Sequence, residues 1–156
     1  GITLREKIIE QVGVIGEKVE VADYQKMEAP QVVSYIHMGN KAGVILGLSQ
    51  DGIDVSAGRD VAMQVAAMHP VAVDKDGVDS SIVEKEIEIG MDIARQEGKP
   101  EAMLEKIAMG KLNKFFKERT LLNQAFVKNN KQNITQYLDS VSSGLTVTDF
   151  KHVKLG

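Results

Sequence analysis

The sequence predicts an α+β fold: a small antiparallel sheet with helices packed on one face, and an antiparallel helical hairpin inserted before the last strand. Three observations point there. Residues 18–49 are rich in β-branched and aromatic side chains broken by turn chemistry. Residues 79–119 carry two amphipathic stripes joined by Gly98-Lys99-Pro100, and the final "LTVTDFKHVK" alternates as a strand does. At 156 residues and 43% hydrophobic composition the chain can bury a core without covalent staples. It has no cysteine, which excludes disulfides, thiol chemistry and Cys-ligated zinc and is compatible with the expected cytoplasmic location.

Leu4, Ile8, Ile9 and Val12 recur at helical spacing after Thr3, which with Glu6 three residues later forms a capping box; this helix stops at "GVIGE". Strands are predicted over 18–28, 31–38 and 43–49, with "HMGNKAG" turning the second into the third. In "SAGRDVAMQVAAM", small side chains let a helix lie close on a sheet, and Pro70 closes it. Asp79 or Ser80 caps a helix to Glu97, Gly98 stops it, and Pro100 starts the next. So tight a joint makes the two helices antiparallel: Val83, Ile87, Gly90, Met91 and Ala94 face Leu104, Ala108, Leu112 and Phe115. Asn133 caps a short helix with Ile134, Leu138 and Val141 inward, and the last strand adds to the early sheet. The core is predicted over 1–77 and 124–156, with the coiled-coil-like hairpin over 78–123.

Charge divides along the hairpin. Asp74 to Glu105 carries a net −6 and Lys106 to Lys131 a net +6, inside a chain of formal charge −3. The basic run therefore has an expected partner in its own chain, each exposed pair contributing about 0–1 kcal/mol. An RNA-binding module using the Lys/Phe-rich arm is an alternative; the neighbouring acids and an aromatic content of 4% argue against direct nucleic-acid contact. A structural dimerisation module, self-associating through the hairpin's outer faces, is another. The longest apolar runs, such as "AGVILGL", fall far short of the ~20 residues a membrane span needs, so no membrane partner is expected.

Recognisable chemistry is sparse. "MGNKAG" lacks the spacing of a phosphate-cradling loop. His37, His69 and His152 lie in separate elements without the i, i+4 partner of a metal motif, so no metal or cofactor is expected. Glu84 and Glu88 read as a solvated helix face. Only His37, at a strand end beside a turn, is placed like a contact residue.

The segment "VEKEIEIGMDIARQEGKPEAMLEKIAMGKLNKFFKERTLLNQAFVKN" closely resembles the bacterial translation elongation factor Ts family. The family pattern of an acidic VEKE helix, GKP, a glycine with a basic/apolar pair, KF, and LL.Q.FV is matched by Val83-Glu84-Lys85-Glu86, Gly98-Lys99-Pro100, Gly110-Lys111-Leu112, Lys114-Phe115, Leu121-Leu122, Gln124 and Phe126-Val127. Ile15-Gly16-Glu17 resembles the family's IGE turn, and Ser34-Tyr35-Ile36-His37 with Lys41, Gly43-Val44 and Leu46 its SYxH hairpin; "MQVAAMHP" matches a helix end. The likeness covers essentially the whole chain and implies a core with a hairpin of the family's dimerisation-domain type. It further implies a guanine-nucleotide exchange factor that binds elongation factor Tu and promotes GDP release by binding, without bond chemistry. Ile15, Gly16, His37, Phe126 and Val127 are then its partner contacts; for each, a purely structural role is the competing reading.

Departures from the pattern are specific. The family's N-terminal module and its TDFV loop are absent, and Thr148-Asp149-Phe150, in the last strand, does not replace that loop. Val19-Glu20-Val21-Ala22-Asp23 stands where a paired arginine is typical, Ala125 where proline is, and Lys128 where an apolar residue is common. With an opening "GITL" that lacks Met, these suggest a shortened polypeptide, expected to bind Tu weakly and to exchange nucleotide poorly.

Overall fold

Strands from distant parts of the sequence make one sheet. In the computed structural model, which describes residues 1–155, β1 (Gln31–Ile36) pairs antiparallel with β2 (Ala42–Leu48). On its other edge β2 pairs antiparallel with the last strand, numbered β5 (Val147–Lys154), giving the order β1-β2-β5. The predicted strand at 18–28 does not form. Residues 27–29 instead lie against the outer face of the sheet at Gly47. A Cβ there would sit 2.9 Å from Ala29 Cβ and 3.1 Å from Met27 Sδ, so glycine lets that segment approach.

The inner face is laid out by register. Val33, Val44, Leu46 and Leu48 are buried, and Leu46 faces Val33 on one side and Phe150 on the other. The plain alternation expected along β5 is broken. Gly47 pairs with Asp149 but Leu48 with Val147, leaving Thr148 as the extra residue of a bulge. The bulge shifts the phase, so Val147 and, past it, Phe150 and His152 share the inner face. Against this face lies α2 (Val55–Met68), capped by Asp54, with Val61, Ala62 and Val65 fully buried. Its small residues permit the approach: a Cβ on Gly58 would meet Val33 Cγ2 at 2.6 Å.

The hairpin forms as the sequence predicts. It consists of α3 (Ser80–Gln96), capped by Asp79, and α4 (Glu101–Arg119), whose N-cap is Pro100. Gly98 takes the left-handed conformation between them, φ 71°, and Lys99 N–H returns to Ala94 O at 3.0 Å. Gly90 and Ala94 pack against Leu104, Ala108 and Leu112, all buried; a Cβ on Gly90 would lie 3.0 Å from Ala108 Cα. At the base the entering and leaving chains are laced together by Val71 N–H to Arg119 O (2.8 Å), Leu121 N–H to Ala72 O (3.0 Å) and Leu122 N–H to Val73 O (2.9 Å).

The expected pairing of an acidic with a basic arm is not realised at contact distance. Among the described residues the one ion pair joining the arms is Arg95 with Glu101 at 3.2 Å, beside the turn and opposite in sense to the charge excess. Lys114 pairs with Glu118 on its own helix, and Lys128 with Asp60 of α2. Apolar burial decides the pairing: Leu104 and Leu112 contribute about 1.5–3 kcal/mol each, against about 0–1 kcal/mol for an exposed ion pair.

Beyond the hairpin, β3 (Ala125–Phe126) and β4 (Asn129–Asn133) form a short two-stranded ladder, and α5 (Ile134–Val141) follows with an Asn133/Gln136 capping box. Ile134 and Leu138 are buried as predicted, whereas Val141 is 37% exposed at the helix end. At the other terminus α1 (Leu4–Ile15) carries the predicted Thr3/Glu6 capping box, but none of its residues is buried and its apolar stripe, Leu4 and Ile9 included, faces outwards.

The far end of the sheet gathers all three histidines. His69, the left-handed C-cap of α2 (φ 47°), stacks on His152 with ring centroids 5.1 Å apart, and His152 Nε2 is out of solvent without a hydrogen-bond partner. Burial first, then the proximity of His69, Lys154 and His37, holds the His152 pKa below its ordinary 6.5.

Two predictions follow from this packing. Gly90→Ala lowers stability, because overpacking at about 1–3 kcal/mol outweighs a propensity gain of up to about 1 kcal/mol. Gly110→Ala, with open space at its Cβ, keeps the gain alone; urea midpoints moving in opposite directions are the expected result. For His152 the folded chain binds fewer protons than the unfolded one between the depressed pKa and 6.5. Its contribution to stability is complete above about 6.5 and lost as pH falls through that window. Melting temperatures taken from about pH 7 to about pH 5 should fall more steeply for the wild type than for His152→Leu.

Candidate functional site

The residues singled out from sequence occupy three separate surface features. At the first, α1 ends because Gly16 adopts φ 76°, ψ 9° and returns its N–H to Val12 O at 2.9 Å. Nothing lies within 4 Å of where a Gly16 Cβ would sit, and Ile15 is 55% exposed beside it. An apolar side chain is thus placed at the corner of a glycine-capped turn with open space around it.

The second feature is the β1–β2 loop. His37 N–H bonds Ala42 O at 2.9 Å and His37 O accepts from Asn40 N–H at 3.0 Å, while Gly39 (φ 80°) and Asn40 (φ 56°) complete the tight reversal. The His37 imidazole is exposed, and its Nδ1 lies 3.2 Å from the Tyr35 hydroxyl, which orients the ring. Met38, next in sequence, is 87% exposed at the loop tip. An aromatic donor/acceptor and a flexible thioether side by side suit contact with another protein surface.

At the third feature the structure corrects the sequence reading. Phe126 is 3% exposed and stacks on Tyr137 with ring centroids 4.3 Å apart, so it belongs to the core and does not face a partner. Val127, one residue on and past the strand, is 45% exposed. The neighbouring Lys128 ammonium is tied to Asp60 of α2, whose other carboxylate oxygen accepts from the Tyr137 hydroxyl at 3.3 Å. Desolvation by burial first, and then that carboxylate, raise the Tyr137 pKa to about 12.

No contact joins Ile15–Gly16, His37 and Val127 into one pocket; they are separate points on the surface. The fold does unite His37, His69 and His152 at one end of the sheet. Sequence spacing carried no signal of this, because the three lie on different elements and meet only through the β2–β5 register and the end of α2. Also missed was the buried pair Gln64 and Gln124, whose side chains hydrogen-bond at 3.2 Å beneath Val127; a glutamine inside "MQVAAM" reads as an exposed helix position. Among the described residues no cluster of three or more His, Cys, Asp or Glu side chains could hold a metal ion. Nor is any described helix long and apolar enough to cross a membrane. The arrangement offers exposed apolar side chains and an oriented imidazole at turns.

Comparison with known proteins accords with that geometry. The family model described as Elongation factor TS matches residues 1–156. The chain is 59% identical over 157 residues to elongation factor Ts of Cytophaga hutchinsonii, covering 99% of this chain and 56% of the relative. It is 51% identical over 158 residues to that of Christiangramia forsetii and 52% over 158 residues to that of Amoebophilus asiaticus, in each case covering 100% of this chain and 57% of the relative. The chain therefore spans little more than half the length of the curated relatives it matches. With the hairpin motifs on α3 and α4, the glycine-capped turn after α1 and the histidine-bearing β1–β2 loop all in place, this chain belongs to the elongation factor Ts family.

Proposed function

We propose that this chain binds elongation factor Tu and promotes release of its GDP. The observation that carries the reading is the family's contact motifs appearing as exposed side chains at defined turns and strand ends: Ile15 at the Gly16 cap, His37 at the β1–β2 loop and Val127 beyond β3. Such a factor works by linkage. Contacts made better with a Tu conformation whose nucleotide site is loosened lower the nucleotide affinity by the same factor. The chain's residues need only bind differentially; no bond is made or broken on them.

The roles follow from position. Ile15, on an open corner, presses an apolar side chain against the nucleotide-binding part of Tu. His37, oriented by Tyr35, hydrogen-bonds a second part of the partner, and Val127 buries against a third. Phe126 anchors Val127 from within the core. Acceleration of exchange is small in this reading. Thr148-Asp149-Phe150, which resembles the start of the family's TDFV loop, lies at the β5 bulge with Phe150 packed against the core and does not project toward a partner.

Release of a fluorescent GDP analogue from Tu, followed with and without excess chain alongside direct binding, tests this. Saturable binding with modest acceleration is expected; absence of binding overturns the reading. His37→Ala is expected to weaken binding about 5- to 30-fold, as loss of a contact hydrogen bond worth about 1–2 kcal/mol does. Its melting temperature should not change, because the ring is exposed; an unaltered dissociation constant removes His37 from the interface.

A further inference from the structure

We infer that Gln64 is a positioning residue: its buried amide holds the backbone on either side of Phe126 and so fixes where Val127 presents its side chain to elongation factor Tu. Gln64 lies on α2 and is fully buried. Its Nε2 donates to Ala125 O at 3.1 Å and to Gln124 Oε1 at 3.2 Å, while its Oε1 accepts from Val127 N–H at 2.9 Å. The carbonyl of residue 125 and the N–H of residue 127 are the two groups a neighbouring strand would engage around residue 126. The Gln64 amide, planar with one acceptor and two donors, takes the place of that strand's peptide unit.

Two further ties make this a frame. Asp60, one helical turn before Gln64 on α2, holds Lys128, so consecutive turns of one helix grip residues 125–128. Gln124, in contact with Gln64, donates its own Nε2 to Glu118 O at 3.0 Å in the last turn of α4. The position of Val127 is thereby coupled to α2 and to the end of the hairpin arm. A leucine at position 64 has similar bulk but leaves Ala125 O, Gln124 Oε1 and Val127 N–H without these partners in a buried place.

The inference rests on the reading of Val127 as a Tu contact, and its test has a readout on each side. Hydrogen exchange followed by NMR in the free chain is expected to show the Val127 amide protected in the wild type and exposed in Gln64→Leu. In binding to Tu, Gln64→Leu is expected to lose about tenfold. The double variant with Val127→Ala is expected to lose no more than Val127→Ala alone, because Gln64 acts through that side chain. A wild-type Val127 amide that exchanges unprotected, or losses that multiply independently in the double variant, overturns the positioning role. If Gln64→Leu does not fold, Gln64→Met carries the same cycle. Failure of the wild-type chain to bind Tu overturns the contact reading of Val127, whatever the exchange rates; lost protection with unchanged affinity overturns the positioning role alone.

Discussion

The seating of α2 on the sheet is the contact from which the rest of the molecule is organised. Gly58 lets the helix come against Val33, and Val61, Ala62 and Val65 then close over Leu46 and Leu48. Residues this small at the crossing bring backbone, and not only side-chain tips, into range of neighbouring elements. From that seat Asp60 reaches Lys128 and Tyr137, Gln64 reaches the 125–127 backbone, and His69 stacks on His152. A larger residue at position 58 would lift all of these together.

Much of this was legible in the sequence where a local rule governs. The Thr3/Glu6 capping box, the Asn133 cap, the Gly98-Lys99-Pro100 reversal and the facing apolar stripes of the hairpin depend on neighbours a few residues away, or on helical period, and they form as read. What failed depends on which partner wins a place. Val19 and Val21 alternate as a strand would, yet residues 18–28 join neither edge of the β1-β2-β5 sheet, and alternation says nothing about whether a pairing partner is met. One extra residue at Thr148 moves Phe150 and His152 to the inner face, a shift of phase that composition does not reveal. Among the residues expected as contacts, the turn positions of Gly16 and His37 were legible because turns have distinctive chemistry. Phe126 was not, since the burial of an aromatic in a two-residue strand is set by Tyr137 from another element.

The hairpin separates net charge from contact. Its arms carry opposite excess, but the packed seam is made by Gly90, Ala94, Leu104, Ala108 and Leu112. The charged groups stand outside it, and charge therefore shapes the field around the hairpin more than it holds the helices together. Adding salt screens that field over a Debye length of about 8–10 Å and leaves the seam intact.

The place of β5 in the sheet also sets an order of events. The two helices of the hairpin are neighbours in sequence and can pair as soon as both exist, whereas β2 at 42–48 must wait for 147–154 to complete its second edge. During synthesis on the ribosome the hairpin is therefore ready first, while Leu46 and Leu48 have only β1 and α2 to cover them until the last strand emerges. In that interval the edge of β2 stands unpaired, and its closing by residues 147–154 is the longest-range pairing of the sheet.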